Sequence, residues 1–438
     1  MFDPHRDHEW PFLLDRAGSP SFAGSRPFSQ LVVEESGLVR RWDDGGWRTL
    51  DTHPIDAIAR YVDENRAAAR SLPPELAPDA PLPRTVGYLA YELGAFVEKV
   101  PVVGPDPTGL PLAVLSTYDR VDAWIPGTDR HVAVEFEDAG KRGAPPPPAL
   151  ACPSAMAAAP EAGDGGEHYR CAFKRIARAI RAGDIYQANL SRRIDMAFDD
   201  DAYEAYRRLR GVQPVPQGAY LDLGTRQISS NSPECFLSVR GDSIATFPIK
   251  GTRPRHDDAD RDREAAANLA RDVKERAEHV MIVDLERNDL GRVCIAGSVS
   301  VSAYAHVVSF ATVHHLVSAV QGTLRDGVDI GDVLRAVFPG GSITGAPKIR
   351  AIEIIAEVES QARGVYTGAI GSFNGSRSCE LSVAIRTAIV GGGRVHYCVG
   401  GGIVADSRED AEYEETNVKA RAFLQAIADT RARMRAAQ

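Results

Sequence analysis

Three short turn signals, each set between two runs that read as strands, constrain this chain more than any other feature. Gly241-Asp242 separates 232–240 from 243–249, and Asn374-Gly375 and Gly391-Gly392-Gly393 punctuate two later pairs. Connections this short cannot carry a crossover, so each one demands an antiparallel hairpin. In the first hairpin, pairing Arg240 with Ser243 puts Glu234 opposite Ile249 and Lys250 opposite Pro233. A loop one residue different in length would put Glu234 directly opposite Lys250. In either register a carboxyl and an amine meet at the open end of one hairpin, where Pro233 and Pro248 disturb the ladder. As an edge-strand ion pair this is worth little. As an amine whose pKa is lowered by burial or cationic neighbours, Lys250 becomes a nucleophile.

The patterning changes along the chain. Residues 1–138 mix short strand-like runs with turns; 31–34 and 132–136 read as strands and 54–70 as a helix. Residues 139–166 shift to Ala, Pro and Gly, including Pro145 to Pro148, and read as a linker. From 167 to 433 the patterning strengthens. A helix through Tyr169, Phe173, Ile176 and Ile180 stops at Gly183. The strand over 185–198 then sets Gln187, Asn189 and Ser191 on one face, to meet solvent or line a cleft. A charged helix spans 257–279, and further helices span 349–359 and 408–433.

A net charge of -9 argues against a general nucleic-acid binder. The first eight residues lack the apolar core of a signal peptide, and no apolar run reaches membrane-spanning length. The 6 cysteines contain no C-x-x-C pair, so reduced thiols in a cytoplasmic protein are expected, with no nucleic-acid or membrane partner.

Other residues have chemistry in their spacing. Glu275 and Glu278 share a helix face, although Lys274, four before Glu278, offers an ordinary surface pair. Glu412, Glu415 and Lys419 share a face of the last helix, with Phe423, Leu424 and Ile427 directed to a core. His314 and His315 lie in an apolar segment, where most histidines are structural. The glycine-rich run 339–348 opens a helix at Pro347 and could present free N–H groups to an anion. It lacks the order of a Walker loop.

Together the motifs resemble the chorismate-utilising enzymes, which include component I of anthranilate synthase and of aminodeoxychorismate synthase and the isochorismate and salicylate synthases. The resemblance runs from about 167 to 430. It rests on Gly183-Asp184-Ile185-Tyr186-Gln187-Ala188-Asn189-Leu190-Ser191, Ser232-Pro233-Glu234 and Pro248-Ile249-Lys250-Gly251-Thr252-Arg253. It rests also on Glu278-His279, Val283-Asp284-Leu285 with Arg287-Asn288-Asp289, the run 341–348, and Glu412-Tyr413-Glu414-Glu415-Thr416. The family implies an α/β (α+β) fold: two packed antiparallel sheets with helices outside. It implies Mg2+ held by Glu278 and Glu415 with Glu275 and Glu412 in support, and oxygen donors suit that hard ion. Gly251 and Thr252 would then hold the ring carboxylate of chorismate. Tyr366, Arg386 and the Gly402 backbone would hold the enolpyruvyl carboxylate, guanidinium being able to bind it bidentately. Lys419 would add positive charge, and Ser342 stands where relatives place a threonine near the substrate. His315 matches the family's active-site histidine and would orient substrate or shuttle protons.

Two positions separate the branches. Isochorismate and salicylate synthases carry a lysine base at the position of Gln187, and an amide cannot activate water that way. Anthranilate synthases have alanine at the position of Lys250, whereas aminodeoxychorismate synthases have lysine. The expectation is therefore the aminodeoxychorismate branch, serving p-aminobenzoate and folate precursor synthesis. Glu234 would be the general acid at the C4 hydroxyl and Lys250 the nucleophile at C2. Ammonia would come from a separate glutaminase subunit, since no G-x-C-x-G nucleophile motif is present, and the reaction would stop at the amino intermediate for want of a fused lyase. Anthranilate synthase component I and a non-catalytic chorismate-binding subunit are the rival readings.

Overall fold

The Gly241-Asp242 turn forms as expected. Gly241 takes φ 59, and Arg240, Val239 and Ser238 pair with Ser243, Ile244 and Ala245. The hairpin then parts at Pro248, which has no N–H to give to a ladder. Beyond it the Ile249–Pro254 strand takes a different partner, Val313–Thr323, with Ile249 opposite Val317 and Lys250 opposite Leu316. Ser243–Thr246 pairs with that same strand, so Val313–Thr323 holds both halves of the broken arm.

This is a computed structural model, and it describes residues 11–43, 46–76, 80–128, 130–138, 166–311 and 313–437. The expected linker over 139–166 thus lies almost wholly outside the described residues. Two large antiparallel sheets carry the chain, one of 10 strands and one of 12, with helices packed on them. In the first, Gln187–Ala197 and Arg394–Ile403 lie side by side near one edge, and Phe12–Asp15 lies between Gln217–Asp222 and Ser21–Gly24. In the second, Ile249–Pro254 is at one edge, while Thr85–Leu89 pairs with Ala369–Phe373 in the interior. Both sheets therefore draw strands from either side of 139–165.

A large apolar core fills the molecule, drawing Leu31, Val86, Leu115, Leu237, Ile244, Ile370 and Leu381 from the second sheet and Phe12 and Ile228 from the first. Among the described residues no helix is long and apolar enough to cross a membrane.

The helices show where local chemistry decided their limits. Glu167–Ala182 ends at Gly183, whose φ of 82 closes the last turn. Pro54–Glu64 starts with proline in its first turn and ends at Asn65, short of the expected 70. The single helix expected over 257–279 is two, Ala259–Arg271 and Val273–Gly291. Asp272 is the cause: its backbone is extended (ψ 113) and its carboxylate accepts the Glu275 N–H, capping a new helix. Glu275 and Glu278 consequently stand in the opening turns of a helix, where the macrodipole favours anions.

Candidate active site

Gly251 is the hinge of the site. It has φ +66 and sits as an extra residue in its strand, so that Lys250 and Thr252 oppose the consecutive residues Leu316 and His315. A glycine in this conformation makes a β-bulge and re-aims the side chains beside it. Lys250 is thereby turned into a recess, half-buried, with Nζ 3.5 Å from the Ser342 carbonyl oxygen. Burial lowers its pKa. The charges of Glu234, Glu278 and Glu275 oppose that shift, and Lys419 reinforces it.

Glu234 is buried, and burial raises its carboxyl; the Ser342 hydroxyl, the Lys250 charge and the Ile249 N–H oppose the rise. Contact with Ile249 is what the hairpin register predicts, although the ladder itself has parted there. Acid and amine are thus neighbours, each held toward its neutral form by burial and each tempering the other.

Thr252 and His315 close the next wall. His315 Nδ1 lies 3.0 Å from the Gly251 carbonyl oxygen and 3.1 Å from Thr252 Oγ1. A carbonyl only accepts, so the ring proton is on Nδ1 and Nε2 keeps its lone pair. That Nε2 is enclosed with no protein partner. Burial pushes the imidazole down to about 4 against the pull of the Gly251 carbonyl, with the Arg386 and Lys419 charges adding to the fall. A neutral acceptor therefore faces the recess at neutral pH.

Two further orphaned groups belong to the expected substrate-binding set. Gln187 is fully buried, yet neither Oε1 nor Nε2 has a partner. A Cβ placed on Gly402 would come within 2.8 Å of Gln187 Nε2, so this glycine leaves the room the amide fills. Arg386 has a left-handed backbone (φ 51) and an enclosed Nη1 without a partner. Burial lowers its guanidinium, with the nearby Tyr397 ring opposing. Tyr366 is buried, and Gly400 is the residue that makes space for its hydroxyl, 2.9 Å from where a Cβ would be. Buried polar atoms normally find partners, and conformational strain persists where the surroundings impose it. Their concentration here suits a polar ligand.

The four glutamates approach from two helices. Lys274 is 3.8 Å from Glu278, Arg253 is 3.3 Å from Glu275, and Lys419 is 2.7 Å from Glu415. Ser407 donates to Glu412 at 2.6 Å. Burial raises the Glu278 carboxyl, and Glu275 and Glu412 add to the rise. Burial likewise raises Glu412, with Glu415 adding. At Glu415 the Lys419 ammonium overrides burial and the carboxyl is lowered. Among the described residues no three acidic or imidazole groups stand close enough to make a ready ligand cluster. The donor set nevertheless fits magnesium: every group is a hard carboxylate oxygen, and at Glu278 and Glu415 the balancing charge is a lysine that a divalent ion could replace.

Lys348, at the start of the helix Lys348–Val358, pairs with Asp289 at 2.5 Å, and the Gly341 N–H of the glycine-rich run donates to Glu286. The free anion site expected over 339–348 is therefore filled by the chain's own carboxylate. Sequence reasoning passed over Glu286, Arg253 and Ser407. The signal for Arg253 was present in the motif it belongs to. Glu286 stands four residues after Ile282 and four before Leu290, on the buried face of its helix, and that spacing was the signal that could have found it.

A family model described as "chorismate binding enzyme" matches residues 39–425. The chain is 38% identical over 426 residues to anthranilate synthase component 1 of Streptomyces coelicolor, covering 90% of this chain and 82% of that protein. It is 38% identical over 374 residues to aminodeoxychorismate synthase component 1 of Salmonella typhimurium, covering 83% and 81%. The crystal structure of anthranilate synthase component I from Streptococcus pneumoniae superposes with a TM-score of 0.76 at 27% identity, covering 97% of this chain and 95% of that one.

Proposed function

The chain belongs to the chorismate-binding enzyme family, and on that premise we propose that it converts chorismate and ammonia to 4-amino-4-deoxychorismate. The observation that carries this reading is Lys250 beside Glu234 in one recess, both in contact with Ser342. A half-buried amine with a lowered pKa is a nucleophile, and a buried carboxyl with a raised pKa is a proton donor.

The steps then balance. The neutral Lys250 amine forms a bond to C2, the C1–C2 double bond shifts to C1–C6 and the C5–C6 double bond to C4–C5, and the C4 hydroxyl leaves as water with the Glu234 proton. Ammonia adds at C4, both double bonds shift back, and the C2–N bond breaks to return Lys250 as an amine. The ammonium formed at C4 gives one proton back to Glu234, and the enolpyruvyl group stays in place. His315 Nε2, a neutral acceptor, holds the substrate orientation. Thr252 and the Gly251 backbone receive the ring carboxylate, while Tyr366, Arg386 and the Gly402 backbone receive the other. Gln187, lacking a titratable group, offers no base to activate water. Glu278 and Glu415, with Glu275 and Glu412 behind them, would hold magnesium, whose chemistry when bound is to neutralise and polarise the ring carboxylate.

Ammonia would reach the site from a separate glutaminase subunit in the cytoplasm. Relatives of equal identity bear the name anthranilate synthase component 1, which keeps a second reading in play: Lys250 as a carboxylate-binding cation in an anthranilate-forming enzyme. Incubation with chorismate, ammonium and magnesium, followed by mass-spectrometric product identification, decides between them. The expected product is 4-amino-4-deoxychorismate, lost on adding a chelator and lost in Lys250→Ala together with any substrate adduct on the protein. Fluorescent anthranilate accumulating without an added lyase would overturn the proposal.

A further inference from the structure

The turn Gly341–Ile343 touches both members of the proposed pair. The Ser342 carbonyl oxygen lies 3.5 Å from Lys250 Nζ, and the Ser342 hydroxyl faces Glu234. What anchors that turn is a side chain with no part in the steps above. Glu286, on the helix Val273–Gly291 and 3% exposed, accepts the Gly341 N–H through Oε1 at 3.2 Å. Its Oε2 is enclosed without a partner. Gly341 has no room to shift toward that helix, since a Cβ there would stand 2.5 Å from Leu285 Cδ2 and 3.1 Å from Glu286 Oε1. On the other side Thr344 Oγ1 donates to the Gly340 carbonyl at 2.9 Å.

We propose that Glu286 is a positioning residue for Glu234 and Lys250, acting through the Gly341–Ile343 turn. The inference rests on the reading of those two residues as acid and nucleophile. Three charged groups face Glu286. Asp289 comes from its own helix, Lys348 from the helix Lys348–Val358, paired with Asp289 at 2.5 Å, and Glu234 from the sheet side. Arg292 and Glu98 lie beyond Asp289. Burial first, then Asp289 and Glu234, drives the Glu286 carboxyl upward, with Lys348 and the Gly341 N–H opposing. A protonated Glu286 still accepts through one oxygen, and it spares Glu234 a second negative charge at its back. A hydrophobic residue here would leave the Gly341 N–H buried and unpaired, and the turn would move to satisfy it.

The test uses the full chain with Glu286→Met and Glu286→Gln. The first readout is carbamylation of Lys250 by cyanate as a function of pH, followed by peptide mass spectrometry, which needs no substrate. In Glu286→Met the released turn withdraws the Ser342 carbonyl from the Lys250 ammonium and the Ser342 hydroxyl from the Glu234 carboxylate. Both losses disfavour the charged amine, so the labelling midpoint is expected to move to lower pH, by about half a unit or more. Glu286→Gln keeps an acceptor oxygen and is expected to label on the wild-type curve. Turnover of chorismate is expected to fall ~10-fold in kcat for Met with KM little changed, and to be restored in Gln. A folded Glu286→Met that labels Lys250 as wild type does overturns the proposal. If Met does not fold, Glu286→Asp, which withdraws the acceptor by one methylene, must show the shift instead, and a wild-type curve there overturns it equally. A shifted curve in a protein whose wild type never consumes chorismate would support Glu286 and refute the chorismate reading.

Discussion

Replacing Gly251 by alanine puts a number on the bulge that aims Lys250. At φ +66 any L side chain crowds its own backbone, at about 1–2 kcal/mol. The new Cβ would also meet Leu269 Cδ1 at 2.9 Å and Glu275 Oε2 at 3.1 Å. Glu275 can give way, because its partner Arg253 is a third exposed and an ion pair of that kind is worth little. Leu269 cannot, being fully enclosed against Ala305 and Leu316. Overpacking of that sort costs about 1–3 kcal/mol. Together the variant is expected to lose about 2–5 kcal/mol, read as a lower urea midpoint at unchanged slope. If the loss is under about 1 kcal/mol, the left-handed bulge is not required by the packing around it, and the account of how Lys250 is aimed fails.

Two other outcomes follow from the same geometry. His279 is fully buried against Ser318, and burial, helped by the Lys250 and Arg276 charges, holds its imidazole down to about 4. The unfolded chain then binds the extra proton between about 6.5 and 4, so this residue's contribution is intact above 6.5 and is lost as pH falls toward 4. His279→Gln should therefore flatten the acid side of the stability–pH curve, by up to about 3 kcal/mol in urea titrations at pH 7 and 4.5; a parallel curve would refute the assignment. Gly402→Ala would press on the enclosed Gln187 amide at 2.8 Å and is expected to raise the KM for chorismate ~10-fold and to cost about 1–3 kcal/mol of stability by overpacking, measured by initial rates and urea unfolding.

Some of this architecture was written locally and some was not. The Gly241-Asp242 hairpin was legible because a two-residue loop fixes its register, and the register brought Glu234 to Ile249. The exchange of partner at Pro248 was not, because its cause is a strand some sixty residues on, with no local mark that it would pair there. Glu275 with Glu278, and Glu412 with Glu415, were legible as helix faces. That the two faces converge is a property of how Val273–Gly291 and Glu409–Ala437 pack, which no spacing encodes. The cap at Asp272 was missed because an aspartate within a run of charged helix formers looks like one more helical residue. Glu286 was missed for the same reason in reverse: a carboxylate on a helix is read as solvated despite its spacing, and the approach of Gly341 makes it a buried acceptor.

The threading of both sheets by early and late strands has a consequence for how the molecule comes into being. Thr85–Leu89 waits for Ala369–Phe373, and Phe12–Asp15 for Gln217–Asp222. At ribosomal speeds of about 5–20 residues per second those partners emerge on the order of tens of seconds later. For that interval the first strands have open edges able to pair with any other chain. The first third of the protein thus has no finished state of its own, and its safe passage depends on translation reaching the last.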